Sequence, residues 1–435
     1  MTSNEIKALD AQSVMQTYGR FDVAIDHGEG ATLYSPEGKE YIDFTSGIGV
    51  NSIGYGNNKW ADAVYAQAVK LQHISNLYYS EPYARLAAEL TKRTGMKNVF
   101  FSNAGGEANE GMIKLARKYS FDKYGKGRST IISLIQSFHG RTITTLAATG
   151  QEQFHNYFFP FTEGFTHVPA NDIKALEAML ESETVSAKSA DGSAGADNVG
   201  NVTSIDRTSV LQPSADFGSA VSNGSVCAVL VELIQGEGGV LPLDPDYVKD
   251  VAELCAANDI LLLIDEVQTG VGRTGTLFAF QQYGIQPDVV SFAKGIAGGL
   301  PMGGIMANEK CSAVLTAGTH ATTFGGNPIS AAGALEVLSQ LSETQLSEVV
   351  KKGEYIIKEV KSWNLPIVGE IRGKGLMIGV SLSGAVPKDA AQKCVENGLL
   401  ILTAGSDALR LLPPLTISYD ELDKGLGILK SVLEN

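Results

Sequence analysis

The chain is poor in cysteine and histidine for its 435 residues. Its four cysteines lie far apart and form no C-x-x-C pair, so the sequence predicts neither a disulfide framework nor a zinc site, and it indicates a reducing compartment. Its six histidines show no spacing typical of metal ligands. We therefore expect a cytoplasmic protein that binds no metal.

Positive charge and long apolar runs are also scarce. The chain has 34 Lys and Arg against 48 Asp and Glu, a net charge of −14, which argues against an electrostatic grip on nucleic acid or on an anionic membrane. Residues 1–10 are charged and lack the apolar core of a secretory signal. Residues 311–335 carry no charge, but their many Gly and Thr residues make a poor membrane span. Neither nucleic acid nor a membrane is an expected partner, and an anionic ligand must be held by a local cluster.

Apolar residues and glycine, by contrast, are abundant. Hydrophobic residues make up 44% of the chain and 48 residues are glycine, a globular composition with enough apolar material for a large core. The length predicts two or three domains, or one large domain with a smaller companion. Between residues 98 and 293, apolar strands alternate with helical segments, which predicts a mostly parallel sheet buried on both faces. The chain after residue 327 predicts a smaller α+β unit.

Residues 181–225 interrupt this pattern. The segment is rich in Ser, Ala, Gly and Asn, and it separates a predicted helix over residues 172–180 from an apolar strand that begins at Cys227. A long connection of this kind is either a functional lid or a dispensable insert. Because it contains so few apolar residues, we interpret it as a mobile surface insert, with the lid as the alternative.

Three predicted strands end in residues that can bind a ligand. In an open α/β sheet, ligands collect beyond the carboxyl ends of the strands. After the strand at residues 98–102 come Gly105 and Gly106, where the free N–H groups of a following helix favour a phosphate, an ordinary strand-to-helix turn being the alternative. Asp265 follows a second strand, either as a helix cap or as the partner of a buried cation. Lys294 follows a third, where an apolar pocket lowers the pKa of an amine and favours Schiff-base chemistry.

A glycine pattern points to a different cofactor. Gly270, Gly272 and Gly275 match the spacing of the dinucleotide-binding fingerprint. Five residues separate them from the preceding strand, however, and the helix that follows would be short. A nicotinamide-dependent oxidoreductase therefore stays an alternative, although the strand and helix around these glycines do not match those of a dinucleotide-binding site.

The three strand ends form one consistent set. A phosphate cradle, a strand-end Asp and a strand-end Lys are the minimum that pyridoxal 5′-phosphate requires. Lys294 can form a Schiff base with this cofactor, and Asp265 can keep its ring nitrogen protonated, so that the ring accepts electrons from the substrate. We therefore predict pyridoxal 5′-phosphate as the cofactor.

A series of motifs, in order along the chain, matches one enzyme family. The chain resembles the class III aminotransferases, which use pyridoxal phosphate, over nearly its whole length except residues 181–225. The segments that carry the resemblance are GEGATLYSPEGKEYIDFTSGIGV, SNLYY, NAGGEANEGMIKLARKY, SFHGRT, VELIQGEGGV, LLIDEVQTGVGRTG, PDVVSFAKGIAGGLPMG, TTFGGNP and LRLLPPL. Several long motifs in order are far more specific than any one of them.

The resemblance implies a role for each matching residue at the cofactor. Lys294 would be the Schiff-base lysine and Asp265 the partner of the ring nitrogen. The other implied cofactor contacts are Gly105 and Gly106 on the phosphate, Phe138 on the ring face, Val267 beside the ring, Gln268 on the ring hydroxyl, and Thr323 on the phosphate across a dimer interface. Without the motifs, core and turn packing would explain Phe138 and Thr323.

The resemblance also implies how substrates are held. Arg141 would anchor the distal carboxylate through its planar fork. Arg410 would bind a second carboxylate in one half-reaction and be neutralised by Glu237 in the other, a surface ion pair of little energetic value being the alternative. Thr322 and Tyr18 complete the implied substrate contacts.

The fold implied by the resemblance is the three-layer α/β fold of the type I enzymes. A large domain over residues 53–326, which includes the 181–225 insert, would contain a seven-stranded, mostly parallel sheet. Residues 327–435 would form a small α+β domain, and residues 1–52 would pack with it. A homodimer with each site built from both chains is also implied.

The implied function is transfer of the δ-amino group of N2-acetyl-L-ornithine to 2-oxoglutarate by a ping-pong mechanism. The products would be N-acetyl-L-glutamate 5-semialdehyde and L-glutamate, in arginine biosynthesis. The nearest alternative is another ω-aminotransferase, acting on ornithine, succinylornithine or 4-aminobutyrate. A pyridoxal-phosphate aminomutase and the nicotinamide-dependent oxidoreductase are more distant alternatives.

Overall fold

The computed structural model describes residues 1–190 and 224–435, without the side chains of residues 184–190. Its largest sheet has seven strands, of which Gly303–Ala307 runs antiparallel to both of its neighbours and the others run parallel to one another. In spatial order, the strands are Asn98–Ser102, Gly303–Ala307, Val289–Phe292, Leu261–Asp265, Val226–Val231, Thr130–Leu134 and Phe165–Val168. The prediction of an α/β fold with a seven-stranded, mostly parallel sheet is therefore confirmed.

Both faces of this sheet are buried, which explains why its strands are continuously apolar. Leu263 packs into one apolar cluster with Met112, which lies on the long helix that follows the first strand. Ile264, the next residue, points to the opposite face and packs into a second cluster with Val251. Helices thus cover the sheet on each side, and only its edges remain for a ligand.

Two smaller sheets involve the two ends of the chain. In spatial order, one contains His27–Glu29, Thr32–Tyr34, Glu40–Asp43 and Leu399–Leu400, the other contains Val368–Lys374, Met377–Leu382, Ala408–Leu411 and Leu402–Ala404, and Ile234–Gln235 pairs with Leu241–Pro242 outside them. Because Glu40–Asp43 pairs in parallel with Leu399–Leu400, the N-terminal segment packs with the C-terminal part of the chain. The domain boundaries at residues 52 and 326 stay a prediction.

The helices begin and end at recognisable caps. Asp244, for example, accepts hydrogen bonds from the first N–H groups of a helix that opens with Pro245, and Gly95 ends another helix at a φ of +73°. The α-helices of the described residues are Ser3–Ser13, Ser46–Gly49, Asn58–Lys70, Glu81–Thr94, Gly105–Tyr124, Ile143–Ala148, Ile173–Ala190, Pro245–Ala257, Phe280–Tyr283, Pro328–Gln340, Glu343–Ser362, Pro387–Glu396 and Tyr419–Glu434, and Glu152–Phe154 and Lys294–Ala297 are short 3₁₀ turns.

The helix Ile173–Ala190 is longer than the sequence predicted. The predicted end near residue 180 is wrong, because residues 181–190 contain neither Gly nor Pro and offer no stop signal before Asp191 and Gly192. The rest of the predicted insert, residues 191–223, lies outside the described residues. Its interpretation as a surface insert stays a prediction.

Several features of the described residues bear on the expected class of protein. None of their helices combines the length and apolar character needed to cross a membrane. Within the same residues, no group of three or more His, Cys, Asp or Glu side chains is placed to hold a metal ion. All four cysteines are buried as free thiols.

Candidate active site

A cavity of about 610 Å³ opens at the carboxyl edge of the large sheet. Glu232, Asp265 and Lys294 stand at the ends of three neighbouring parallel strands, and all three line this cavity. Parallel strands bring their carboxyl ends to the same edge, so residues far apart in the sequence meet there. The start of the helix Gly105–Tyr124 and the loop at residues 138–142 line the cavity as well.

Asp265 is only 4% exposed and accepts four hydrogen bonds. Its Oδ2 accepts from Asn109 Nδ2 at 2.7 Å and from His139 Nδ1 at 2.8 Å. Its Oδ1 accepts from the backbone N of Val267 at 3.0 Å and from Ser291 Oγ at 3.3 Å. These donors hold the carboxylate in one orientation, which suits a group that must meet a cation at a fixed point.

Lys294 lies on strained backbone just beyond its strand. Its φ is +45°, in the left-handed region that non-glycine residues seldom adopt, and it opens the turn Lys294–Ala297. Burial lowers the pKa of the Lys294 ammonium, while the charge of Glu237 opposes this shift and that of Arg410 reinforces it. A larger fraction of this amine is therefore neutral than for an ordinary lysine, and a neutral amine is the nucleophilic form.

The helix Gly105–Tyr124 begins at the cavity without a side-chain cap. Its N-cap residue is Ala104, which has no polar side-chain atom, so the helix dipole and the first N–H groups favour an anion. A Cβ atom at Gly105 would lie 2.7 Å from Val267 Cγ1, so glycine is required for this close approach. At Gly106, a Cβ would have an ordinary contact at 3.6 Å, so packing does not require glycine there.

Phe138 and Arg141 lie on one loop at the cavity, after the strand Thr130–Leu134. The Arg141 Cζ lies 4.3 Å from the ring centroid of Phe154 and 5.4 Å from that of Phe138. Arg141 is exposed and forms no ion pair with any of the residues that the structure describes. The two rings therefore orient the guanidinium while its N–H donors stay available for a carboxylate.

Arg410 is 3% exposed and forms a buried network beside the cavity. Its Nη1 donates to Glu237 Oε1 at 2.8 Å and to Oε1 of Gln268, a cavity-lining residue, at 3.2 Å. Burial by itself would raise the pKa of Glu237, but the charge of Arg410 and its hydrogen bond hold that pKa below its ordinary value. The Glu237 side chain keeps 30% exposure, so it has a route to solvent if the pair opens.

Besides Arg410 and Glu237, which lie beside the cavity, three predicted contacts are absent from its lining. Thr322 is nearest, because its Oγ1 accepts from Asn103 Nδ2 at 3.2 Å beside the helix start. Thr323 is exposed, and Tyr18 is 70% exposed with the Arg20 guanidinium 5.5 Å from its ring centroid. A single chain does not bring Thr323 or Tyr18 to the site, and their roles stay predictions.

Besides Asn109, the donor to Asp265 described above, two buried polar residues of the cavity were not predicted from the sequence, Glu232 and His139. Glu232 is 5% exposed, and burial raises its pKa to about 7, against the opposing effect of His139. His139 donates from Nδ1 to Asp265, and its buried Nε2 has no partner among the described residues. Both could have been found, because Glu232 directly follows a buried apolar strand, as Lys294 nearly does, and His139 lies inside the SFHGRT motif.

The dinucleotide fingerprint does not have the structure that its function needs. The helix after the glycines, Phe280–Tyr283, has only four residues, too few to present an N-terminus to a pyrophosphate. A Cβ atom at Gly275 would lie 2.3 Å from Val350 Cγ2, so close packing explains this glycine. Gly270, Gly272 and Gly275 are absent from the cavity lining, which removes the support for a nicotinamide cofactor.

The residues of the cavity fit pyridoxal 5′-phosphate. The uncapped helix start offers N–H donors to a phosphate, and Lys294 offers an amine with a lowered pKa to an aldehyde. Asp265 offers an oriented carboxylate to a ring nitrogen. Phe138 lines the same space, where an aromatic ring can cover the face of a pyridine.

The matching family model and two similar relatives all indicate an aminotransferase. The model of the family described as "Aminotransferase class-III" matches residues 14–433. An acetylornithine aminotransferase from Haemophilus ducreyi is 48% identical over 434 residues, which cover 100% of this chain and 99% of that protein. A succinylornithine transaminase from Photorhabdus laumondii is 38% identical over 93% of this chain and 92% of that protein.

Solved structures agree with the sequence comparison. An ornithine aminotransferase from Toxoplasma gondii has a TM-score of 0.87 at 29% identity, over 100% of this chain and 95% of that one. An acetylornithine aminotransferase from Elizabethkingia anophelis has a TM-score of 0.81 at 28% identity, over 100% and 99% of the two chains. The chain therefore belongs to the class III aminotransferases, enzymes of fold type I that use pyridoxal 5′-phosphate.

Proposed function

We propose that this enzyme transfers the δ-amino group of N2-acetyl-L-ornithine to 2-oxoglutarate, a step of arginine biosynthesis. The products are N-acetyl-L-glutamate 5-semialdehyde and L-glutamate. The pair of Arg410 and Glu237 carries the proposal, because an enzyme that alternates between a terminal amine and glutamate needs an arginine whose charge can be covered and exposed. The 48% identity to the Haemophilus ducreyi acetylornithine aminotransferase supports this choice of amine.

The two substrates present different groups to one cavity. N2-acetyl-L-ornithine reacts at its terminal amine, so its carboxylate lies far from the reacting carbon, where Arg141 is free to bind it. Glutamate reacts at its α-amine and carries a carboxylate next to the reacting carbon, which Arg410 would bind. Glu237 therefore covers Arg410 in the first half-reaction and moves toward solvent in the second.

When bound, pyridoxal 5′-phosphate supplies an electron sink conjugated to the carbon that bears the substrate amine. Lys294 Nζ would hold the cofactor, and when free the same Nζ would take the proton from the reacting carbon and return it. Its lowered pKa suits it to this work as a base. Asp265, oriented by Asn109 and His139, would keep the ring nitrogen protonated.

Removing Glu237 should separate the two half-reactions. In Glu237→Ala, Arg410 keeps an uncovered charge when the terminal amine binds, whereas glutamate still brings its own carboxylate. We expect the single-turnover rate with N2-acetyl-L-ornithine to fall about tenfold or more, because one partner of a largely buried pair is left uncompensated. The glutamate rate should change far less. Stopped-flow absorbance of the holoenzyme measures each rate alone.

A matched control for this variant is Glu370→Ala. It removes one of two exposed acidic partners of Arg372, and the ion pair joins Arg372 Nη1 and Glu370 Oε2 at 3.3 Å in the sheet that also contains Arg410. Both half-reaction rates should stay at the wild-type level there. Equal losses in the two half-reactions of Glu237→Ala would show that Glu237 does not switch the charge of Arg410.

The rival substrates share this reaction type. Ornithine and succinylornithine also offer a terminal amine and a distant carboxylate, and relatives that carry those names are among the similar proteins. 4-Aminobutyrate has the same terminal amine with a shorter chain. An aminomutase would turn over without 2-oxoglutarate, and it would have no use for the switch between Glu237 and Arg410. Titration with each amine separates these possibilities.

We also propose that the enzyme is a homodimer. Leu77, Tyr79 and Phe324 are 87%, 105% and 60% exposed, an apolar surface that a second copy would cover. Asn76 Nδ2 donates to the carbonyl of Thr322 at 3.2 Å, so this surface adjoins the segment that contains Thr323. Light scattering should give about twice the chain mass of 46.0 kDa. A mass of 46.0 kDa at assay concentration would contradict the proposal.

We further propose that the enzyme is located in the cytoplasm. The four cysteines are buried free thiols, and burial raises the pKa of Cys227 and Cys394 to about 12, so neither is poised to form a thiolate. Reduced, unreactive cysteines suit the reducing interior of a cell.

A further inference from the structure

Glu232 is a buried carboxylate of the cavity to which the reaction described above gives no task. It directly follows the strand Val226–Val231 and is 5% exposed. It forms no ion pair with any residue in the described part of the chain. A carboxylate without a cation is costly to bury, so its hydrogen bonds must account for its place.

Those hydrogen bonds join two different loops. Glu232 Oε1 accepts from the backbone N of Phe138 at 2.8 Å, and Oε2 accepts from the backbone N of Gly236 at 3.0 Å. The first N–H belongs to the loop that carries Arg141, and the second to the turn that carries Glu237. The Glu232 side chain therefore accepts a hydrogen bond from each of the two segments that carry the proposed carboxylate-binding residues, Arg141 and Glu237.

The two loops also lie against each other. Gln235 Nε2 donates to the carbonyl of Ile135 at 2.9 Å, and a Cβ atom at Gly238 would lie 2.5 Å from the carbonyl oxygen of Gln136. Because the loops are in contact at these points, Glu232 is placed to hold both N–H groups at a fixed separation, and its loss would leave each of them without this acceptor. A carboxylate satisfies both, because each of its oxygens accepts. An amide has one oxygen and would turn donor atoms toward the second N–H.

We propose that Glu232 is a positioning residue that clamps the Arg141 loop to the Glu237 turn and thereby fixes the distance between the two substrate carboxylate sites. The inference rests on the proposed function in so far as Arg141 and Glu237 serve substrate carboxylates. The clamp itself is a property of the two loops. It acts on substrates with a carboxylate at either site and leaves the cofactor contacts of Lys294 and Asp265 intact.

The test uses holoenzyme of wild type, Glu232→Gln and Glu232→Ala, with Glu266→Gln as the matched control. Glu266 is also a fully buried carboxylate that accepts two backbone N–H groups, from Ala279 at 2.8 Å and Phe280 at 2.7 Å, but it does not line the cavity. Hydrogen–deuterium exchange read by mass spectrometry should rise in peptides covering residues 136–142 and 234–240 in Glu232→Ala, and in at least one of them in Glu232→Gln. In Glu266→Gln it should rise only around residues 278–282.

Steady-state kinetics then show whether Glu232 positions the substrate-binding groups or only stabilises the fold. We expect kcat/KM for the amine donor and for 2-oxoglutarate to fall about ten- to hundredfold in Glu232→Ala and less in Glu232→Gln, since small misplacements of binding groups cost rates of this size. The visible band of the bound cofactor should still be present, because Lys294 is left in place. The dissociation constant of glutarate, an unreactive dicarboxylate, should rise in parallel.

Two results would overturn the clamp. One is exchange at residues 136–142 and 234–240 that matches wild type in both Glu232 variants. The other is faster exchange with unchanged kcat/KM and unchanged glutarate binding, which would make Glu232 a stabilising residue only. If wild type itself failed to transfer amino groups, the proposed function would fall, while the exchange and glutarate measurements would still judge the clamp.

Discussion

Lys294→Ala is expected to fold and to lose turnover by about 10⁴-fold or more, because one amine both holds the cofactor and moves the proton. Circular dichroism should match wild type, since Lys294 lines an open cavity and supports no other element by an ion pair in the described residues. Dialysis should remove the cofactor far faster than from wild type. Steady-state assay and the visible spectrum after dialysis measure the two effects.

Lys352→Ala provides the matched control for this variant. Lys352 is a buried lysine whose pKa, like that of Lys294, is lowered by burial, and its Nζ donates to the carbonyl of Leu415 at 3.4 Å, away from the cavity. Its loss should lower the melting temperature and leave the cofactor spectrum and kcat unchanged. Substantial turnover in Lys294→Ala would contradict the assignment of Lys294 as the residue that holds the cofactor and moves the proton.

Asp265→Asn should reduce kcat/KM about 10³-fold. A unit charge about 4 Å from its partner is worth about 4 kcal/mol at an effective dielectric constant of 20, and each 1.36 kcal/mol is about a factor of ten in rate. The amide also turns donors toward Asn109 and His139, or toward Val267 and Ser291, which all donate to this side chain. Single-turnover kinetics of holoenzyme at saturating cofactor measure the effect on chemistry alone.

Asp288→Asn tests whether another carboxylate packed against the sheet, here 13% exposed, would give the same loss. Asp288 precedes the strand Val289–Phe292, at the edge opposite the cavity, and its Oδ2 accepts from the backbone N of Leu262 at 2.9 Å. Its variant should lose stability and keep its rate at saturating substrate. Similar rate losses in the two variants would mean that the Asp265 carboxylate does not act on the cofactor.

Much of the fold could be predicted because its strands are buried on both faces and read as continuous apolar runs. Asp265 and Lys294 were identifiable from the sequence because each stands where such a run ends. Gly303–Ala307 escaped prediction because it contains two glycines, which strands seldom favour. A Cβ atom at Gly304 would lie 2.5 Å from the Phe100 carbonyl oxygen, so tertiary packing requires glycine there.

Sequence periodicity could not predict the long-range contacts of the site. Asn109 and Asp265 are 156 residues apart, and Arg410 and Glu237 are 173 apart, so no local pattern joins either pair. The second pair was expected only through the resemblance to the family. Glu232 follows its strand directly, but its hydrogen-bond partners are the backbone N–H groups of Phe138 and Gly236, which no side-chain pattern in the sequence marks.

The measurement that tests the account most directly is the visible absorption of the holoenzyme during titration with an amine and no acceptor. N2-acetyl-L-ornithine, ornithine and succinylornithine are added separately. We expect N2-acetyl-L-ornithine to bleach the band of the lysine-bound cofactor at the lowest concentration, and 2-oxoglutarate to restore it. Bleaching at lower concentration by ornithine or succinylornithine would contradict the proposed substrate. A protein that stays colourless after added pyridoxal 5′-phosphate would contradict the assignment of Lys294 and, with it, the chemistry of the site.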